Sequence, residues 1–313
     1  MARAIAAAAV QEKQTFKMNT APPELDSRRD LPQGFLEFLL PLHEEFTPRQ
    51  QALVAKRAAV LAAAHRGRLP GTLPASPATT TDWRVELPDW CQDQRNQMTG
   101  PADEADMVVK MLNAGAPGVM LDLEDSLANF WPHVARGIEN ILSALRGDLR
   151  YYDQKRKKEV SIQPSQTVIW IRPRGLHLHQ AGVVKDEVLP APLFDLAMLV
   201  YQVDAKELQH PFSVYIPKSE SAEEALWWRD LFQALARAKG WLLDAIKCMA
   251  LVEAHPLAFQ MEEFAYHLRE HLLGLNLGRW DYMASLIDFT FEDPRWVLPD
   301  RNTIPHNVAF FQN

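Results

Sequence analysis

Cysteine is scarce in this chain: its 313 residues include only Cys91 and Cys248. Two cysteines so far apart provide neither a disulfide framework nor the paired spacing of a zinc site. Because Cys248 lies within an apolar run, we interpret it as a buried, reduced thiol. The sequence therefore excludes a scaffold built on disulfides and a metal centre built on cysteine.

Long apolar runs and a surplus of basic charge are also missing. No apolar stretch reaches the roughly 18 residues that a membrane-spanning helix needs, and the apolar run at residues 5–10 precedes no convincing cleavage site. Acidic residues outnumber basic ones by 40 to 33, which gives a formal net charge of −7. This balance argues against nonspecific nucleic-acid binding and against a membrane-surface role. A cytoplasmic location is the simplest expectation.

Composition along the chain predicts three regions: a disordered tail (1–30), a small helical N-terminal domain with its linker (31–85) and an incomplete βα barrel (86–313). Within the second region, we expect one helix at 36–43 and another from Thr47 to about His65. The start of the second helix is predicted by Thr47, an N-cap residue, followed by Pro48 at the first turn.

After residue 95, strand-like and helix-like patterns alternate six times. The predicted strands are 96–99, 118–123, 168–171, 212–216, 248–252 and 272–277. Such alternation indicates a parallel sheet, so we predict an α/β fold: a TIM-type βα barrel with six of its eight strands recognisable. The competing open, doubly wound sheet lacks support because no Gly-x-Gly-x-x-Gly turn follows any strand.

Charged residues follow five consecutive predicted strands: Glu124, Asp125, Arg174, Lys218, Glu253 and Asp281. In a βα barrel, functional groups lie at the carboxyl ends of the strands. Glu253 and Asp281 are one βα repeat apart and can share a divalent cation, although either acid alone could instead pair with an arginine. Their hard oxygens, without cysteine or paired histidine nearby, favour Mg²⁺ over Zn²⁺.

The histidines offer a rival metal site, which we do not favour. His267 and His271 have the spacing of a zincin helix, but Glu270 is misplaced for that motif. We therefore interpret both as residues of an outer helix, and His177 and His179 as loop structure.

A basic insertion interrupts the alternation at residues 151–162, around Lys155-Arg156-Lys157-Lys158. We predict that it forms the solvated tip of a hairpin. The alternative is a patch that binds phosphate or CoA.

The segment 269–282 resembles the signature of the malate synthases, in which Arg-acid-His precedes Gly-Leu-Asn-x-Gly-x-Trp-Asp-Tyr. Nine or more fixed positions match in order, and the match departs at Ala284, where the family usually has an aromatic residue. Further blocks follow the family order: 123–127, 172–178, 193–195, 216–218, 251–253 and 299–301. The resemblance covers the chain from about Phe35 to its last residue.

The resemblance implies an acyltransferase of the glyoxylate cycle, of the isoform A type, with a TIM-type barrel behind a helical domain. The implied reaction condenses acetyl-CoA with glyoxylate and hydrolyses malyl-CoA to malate and CoA. It also implies that Glu253 and Asp281 bind Mg²⁺ and that Arg174 steadies the enolate and the glyoxylate oxygen. Second-shell or substrate-binding roles are implied for Glu124, Asp125, Gly278, Arg279 and Trp280.

The chain departs from the family at Ala254-His255, which is usually Thr-Leu, and at its ending. The family continues through two more strands and a helical domain, where its aspartate general base lies, and no residue here replaces that base. We therefore expect the chain alone to be inactive. It should depend on a complementing C-terminal polypeptide or self-associate through open barrel edges. Two alternatives stay open: a non-catalytic homologue or fragment that binds Mg²⁺ and an oxo acid, and a hydroxyacyl-CoA lyase of the same barrel superfamily.

Overall fold

The structure, a computed structural model, describes residues 25–184, 187–297 and 299–304. Most of the predicted tail, residues 1–24, lies outside the described residues. The remainder of that tail includes a short helix, α1 (Ser27–Asp30).

The main sheet is parallel and has the strand arrangement of a TIM-type βα barrel. Its strands, in spatial order, are β1 (Gln97–Pro101), β2 (Gly118–Asp122), β5 (Val168–Arg172), β8 (Ser213–Ile216), β9 (Lys247–Val252) and β10 (Leu272–Leu277). Each predicted strand is present, so the prediction of the fold class is confirmed. The order of the strands in space follows their order in the chain, as expected for repeated βα units.

Helices pack on the outer side of this sheet. They are α4 (Ala105–Leu112), α5 (Trp131–Arg146), α6 (Ala191–Gln202), α7 (Ala222–Ala238) and α8 (Met261–Leu268). The last helix, α9 (Arg279–Thr290), follows β10, and its Asp288 carbonyl oxygen lies 2.8 Å from His65 Nε2. All five residues of β2 are buried, because a parallel sheet is covered on both faces. None of the described helices combines the length and apolarity needed to cross a membrane.

The N-terminal region is dominated by one long helix, α2 (Phe35–Ala64), so the prediction of two helices divided at Thr47 is wrong. Thr47 does not cap a helix, and its hydroxyl lies 2.7 Å from His43 Nδ1. The helix continues through Pro48 because α2 packs along the barrel helices, with the Phe46 ring 5.7 Å from that of Trp227. Such packing outweighs the roughly 3 kcal/mol cost of an internal proline. The domain boundary near residue 85 stays a prediction.

Smaller elements differ in detail from the predictions. The apolar pattern at 193–208 predicts one continuous helix, but α6 ends at Gln202 and a 3₁₀ turn follows at Ala205–Glu207. A short helix, α3 (Pro77–Thr80), lies within the predicted linker. An antiparallel pair that the sequence did not indicate, β6 (His179–Ala181) with β7 (Val188–Pro190), precedes α6.

The basic insertion forms a hairpin of β3 (Arg150–Asp153) and β4 (Lys158–Ser161), as predicted. It follows α5 and precedes β5, so it lies toward the amino ends of the sheet strands. Lys110 of α4 lies 5.5 Å from the ring of Tyr151, which attaches the hairpin to the outer layer. The charged strand ends are at the opposite end of the sheet, so this position does not favour the alternative of a CoA patch.

Within the described residues, β1 and β10 are the two edges of the main sheet. The prediction of two unpaired edges is therefore confirmed for this part of the chain. Leu275 and Leu277 on β10 are 45% and 66% exposed. An apolar strand edge of this kind can pair with another chain.

Candidate active site

Charged side chains from four neighbouring strands and the start of α9 meet at the carboxyl end of the sheet. The residues are Glu124, Asp125, Arg172, Lys218, Glu253 and Asp281. Four of them are carboxylates and two are cations. We call this group the carboxylate cluster.

Lys218 lies at the centre of the carboxylate cluster. Its Nζ is 2.7 Å from Asp125 Oδ2, 3.1 Å from Asp281 Oδ2 and 3.4 Å from Glu124 Oε2. Its backbone N–H donates to Glu253 Oε1 at 2.7 Å. The backbone of Lys218 is left-handed, with φ 47°, which is rare for a residue that has a Cβ. Lys218 therefore contacts four carboxyl groups, which come from the ends of two strands and from the first turn of α9.

Glu253 and Asp281 are neighbours, as the sequence predicted. Glu253 is buried, and this burial raises the pKa of its carboxyl to about 7, against the lowering effect of Lys218 and with a further contribution from Asp281. The space beside Glu253 is tight, because a Cβ on Gly278 would lie 2.5 Å from Glu253 Oε2. Glycine at position 278 thus lets the β10–α9 turn approach the carboxylate closely.

Glu124 is a buried carboxyl without a hydrogen bond. Neither of its oxygens has a hydrogen-bond partner among the described residues. Burial raises its pKa to about 8, although Lys218 and Arg172 act in the opposite direction. A buried carboxyl with no hydrogen bond and a raised pKa is typical of functional sites.

Arg172, the last residue of β5, is the arginine that faces the carboxylate cluster. It forms a bidentate pair with Asp122, with Nε 2.7 Å from Oδ1 and Nη2 2.6 Å from Oδ2. Its Nη1 lies 3.5 Å from Asp125 Oδ2 and 3.7 Å from Glu124 Oε2. Sequence analysis missed Arg172 because both arginines of the Arg-Pro-Arg motif follow the same apolar run. The signal lay in the sheet: Arg172 pairs in register with Asp122.

Arg174 lies elsewhere. Its guanidinium is bonded to Asp195, with Nη2 2.6 Å from Oδ1, and also to Asn129 and Gln180. The side chain is 2% exposed. The structure therefore does not bring Arg174 to the carboxylate cluster, and it gives this residue a buried ion pair instead.

Other residues named from the sequence lie at the rim. Trp280 is 63% exposed, and Arg279 lies over its ring at 4.4 Å, on the first turn of α9. His255 is buried beside Phe259, Tyr282 and Phe289.

Two histidines, His179 and His271, differ from their predicted settings, since His179 belongs to β6 rather than to a loop. His271 lies after α8 rather than on it and is fully buried, with Nδ1 2.7 Å from Ile246 O. His177 lies close to the carboxylate cluster, since its ring and Glu124 Oε1 both border Gly175. Partial burial, together with Arg57 and Lys218, lowers the pKa of His177 to about 4. The ring is therefore neutral near pH 7.

A cavity of about 410 Å³ lies between α2 and α9, and Lys218, Glu253 and Asp281 line it. Small side chains, including Ala58, Ala254 and Ala284, form part of its wall. A larger cavity, of about 870 Å³, lies on the outer side of α5 and contains none of the cluster residues. The smaller cavity gives a ligand access to the paired carboxylates.

The donor set fits a hard divalent cation. Within the described ranges, no group of three or more His, Cys, Asp and Glu side chains forms a ready metal site. Mg²⁺ does not need one, because it is commonly held by one or two carboxylates and keeps several waters. Glu253 and Asp281 are close enough that one carboxyl raises the pKa of the other, and such a pair favours a shared proton or a shared cation.

Comparison with known proteins agrees with this geometry. Residues 168–313 match the family model described as the TIM barrel domain of malate synthase. Over 281 residues, the chain is 37% identical to malate synthase of Myxococcus xanthus (strain DK1622). The match covers 88% of this chain and 51% of that protein. The chain is also 36% identical to malate synthase of Streptomyces clavuligerus over 304 residues. That match covers 94% of this chain and 56% of the Streptomyces protein.

Malate synthase A of Escherichia coli (strain K12) is 34% identical over 297 residues, covering 93% of this chain and 55% of that protein. The chain thus spans about half the length of the curated relatives that it matches. Over most of its own length the chain is therefore similar to malate synthases, and residues 168–313 match the TIM-barrel domain of that family.

Proposed function

We propose that the carboxylate cluster binds Mg²⁺ and glyoxylate and forms part of a malate synthase active site. The reaction would condense acetyl-CoA with glyoxylate and hydrolyse the malyl-CoA product to malate and CoA. The observation that carries the proposal is the paired carboxylates of Glu253 and Asp281, which lie beside Lys218 at the carboxyl end of the barrel strands. Arg172 lies near the same lysine through their shared partner Asp125. Active sites of βα barrels lie at the carboxyl ends of the strands, which is where these charged side chains are found.

Glu253 and Asp281 would hold the metal, and bound Mg²⁺ would supply a Lewis acid for the carbonyl oxygen of the oxo acid. A divalent cation would take the place of the proton that burial favours on Glu253 and would stabilise the ionised carboxylate. Glu124, with both oxygens unpartnered, would accept a hydrogen bond from a water or substrate group. Asp125 is partly exposed and holds Lys218 in place.

Arg172, rather than Arg174, would stabilise negative charge that develops on the substrate. Asp122 fixes the guanidinium of Arg172 by two hydrogen bonds, so the cation is oriented before any ligand arrives. A preorganised cation costs little reorganisation during the reaction and is therefore effective in stabilising an oxyanion. Arg174 has its donors taken by Asp195, Asn129 and Gln180.

We assign no general base among the described residues. Glu124 has a raised pKa, but both of its oxygens are enclosed beside Arg172 and Lys218. A carboxylate that removes a methyl proton as a general base must reach that proton within hydrogen-bond distance. The described cluster therefore accounts for metal and oxo-acid binding and for the fixed cation.

Calorimetric titration with glyoxylate, with and without Mg²⁺, tests the proposal. We expect glyoxylate binding that requires Mg²⁺ and that is lost in a Glu253→Ala, Asp281→Ala double variant. Unchanged binding in that variant would remove the assignment. An assay of CoA release from acetyl-CoA then separates an acyltransferase from a homologue that only binds the metal and the oxo acid.

A further inference from the structure

We propose that Arg57 of α2 is a positioning residue for the carboxylate cluster and acts on it through Lys218. The inference rests on the function proposed above, because it concerns the shape of the same site. Arg57 lies on the long N-terminal helix, 161 residues before Lys218, and belongs to none of the motifs found in the sequence. Its role would be to connect the helical region to the metal-binding carboxylates.

The guanidinium of Arg57 is fixed on two sides. Its Nε and Nη2 donate to the two oxygens of Glu224, each at 2.7 Å, and Glu224 is fully buried. Nη2 also donates to the backbone carbonyl of Lys218 at 2.8 Å. A bidentate pair of this kind defines the direction of the guanidinium as well as its position. Arg57 is therefore a rigid donor to one particular carbonyl.

That carbonyl belongs to the left-handed residue of the cluster. Lys218 has φ 47°, and a backbone of this kind persists only where surrounding contacts hold it. The Lys218 N–H donates to Glu253, and the ammonium group contacts Asp125 and Asp281. The carbonyl oxygen of Lys218 is instead bound by Arg57, from outside the carboxylate cluster. Loss of the Arg57 contact would let the Lys218 turn relax and would move the N–H that orients Glu253.

Removal of residues that orient the metal ligands commonly lowers metal affinity by about 10- to 100-fold. We therefore expect Arg57→Met to weaken Mg²⁺ binding by at least about 10-fold. Arg57→Lys, which keeps the charge but cannot bind Glu224 and the Lys218 carbonyl with one planar fork, should fall between Arg57→Met and the native protein.

The chain offers a matched control one position earlier on both helices. Lys56 pairs with Glu223, and the two side chains are 56% and 50% exposed. This pair has the same charges and connects the same two helices, but it makes no contact with Lys218. Lys56→Met should therefore leave Mg²⁺ binding unchanged.

The experiment compares the native chain with Arg57→Met, Arg57→Lys, Glu224→Gln and Lys56→Met. Mg²⁺ affinity is measured by calorimetry below the unfolding temperature of each variant, and hydrogen exchange is measured at the Lys218 amide. We expect weaker Mg²⁺ binding and faster exchange at Lys218 in Arg57→Met, with intermediate values in Arg57→Lys and Glu224→Gln. The last two variants decide the question if Arg57→Met does not fold.

The inference is overturned if the Arg57 variants unfold at a lower temperature but keep native Mg²⁺ affinity and native exchange at Lys218. It is also overturned if Lys56→Met loses as much affinity as Arg57→Met. Absence of Mg²⁺ binding in the native chain would instead contradict the proposed function. In that case the exchange rates at Lys218 still decide whether Arg57 holds the turn.

Discussion

Arg172 and Asp122 form a buried, two-point ion pair, with distances of 2.7 and 2.6 Å, while Arg174 is bound in the same manner by Asp195. The two arginines are two residues apart in sequence, but only Arg172 reaches the carboxylate cluster. We predict that Arg172→Lys weakens glyoxylate binding by at least about 10-fold, because lysine cannot replace the bidentate fork.

The matched variant is Arg174→Lys. It should lower the unfolding midpoint, since it disturbs a buried ion pair, and leave the glyoxylate dissociation constant within about twofold. Calorimetry and thermal unfolding of both variants give the comparison. The reverse pattern, with affinity lost only in Arg174→Lys, would restore the role that the sequence resemblance implies for Arg174.

Glu124 makes stability depend on pH in a defined direction. Its pKa is raised from 4.5 to about 8, so the folded state holds a proton that the unfolded state releases above pH 4.5. The stability linked to this group is therefore fully present at low pH and is lost as the pH rises toward 8. Glu124→Gln, which cannot ionise, should stabilise the metal-free protein at pH 8.5 and have little effect at pH 4.5.

The full shift corresponds to an upper limit of about 5 kcal/mol, and relaxation around the charge reduces this, so we expect roughly 2 kcal/mol. Urea unfolding of the native chain and Glu124→Gln at the two pH values measures the difference. An equal effect at both pH values would show that the carboxyl is not held protonated.

Gly278 gives a steric test of the site. A Cβ at this position would lie 2.5 Å from Glu253 Oε2 and 2.6 Å from Glu253 Cβ. Gly278→Ala should therefore displace Glu253 and weaken Mg²⁺ binding by 10-fold or more. Gly274→Ala is the control, because its Cβ would meet only the flexible end of Met249, at 3.3 Å. Similar affinities for the two variants would mean that the position of Glu253 does not govern metal binding.

The β10 edge leads to a prediction about association. Leu277 is 66% exposed on a strand that pairs, among the described residues, only with β9. We expect the chain to self-associate as its concentration rises and Leu277→Lys to reduce this association, because a charged residue on an edge opposes pairing. Leu242→Lys, at a residue 78% exposed in the α7–β9 connection, is the control. Light scattering after size exclusion measures the mass, and a monomer at all concentrations would contradict the prediction.

The sequence predicted the strands well because buried parallel strands are short apolar runs, as in 118–122 and 248–252. It could not predict features decided by distant contacts. Ser221 and Glu224 have the spacing of a capping box at the start of α7. In the structure the Ser221 side chain makes no cap hydrogen bond, and Glu224 binds Arg57 instead. Thr47 failed as a helix start because packing against Trp227 carries α2 through Pro48.

The candidate site shows the same division. Glu253 and Asp281 followed from strand ends and from the family signature, and the structure brings them together. Arg172 is the last residue of β5 and pairs in register with Asp122, whereas Arg174 binds Asp195. The local sequence does not show which of the two arginines reaches the carboxylate cluster. Arg57 was missed for a similar reason, since its partners lie more than 160 residues away.

We expect Glu253 and Asp281 to bind one divalent cation together. The most direct test is electron paramagnetic resonance with Mn²⁺, a paramagnetic substitute for Mg²⁺, on the native chain, Glu253→Gln, Asp281→Asn and the control Asp288→Asn. Asp288 lines the same cavity but is not part of the carboxylate cluster. We predict one Mn²⁺ site in the native chain and in Asp288→Asn, with a spectrum that changes when glyoxylate is added. In Glu253→Gln and in Asp281→Asn, Mn²⁺ affinity should be at least about 10-fold weaker. Native Mn²⁺ affinity in both Glu253→Gln and Asp281→Asn would contradict the claim.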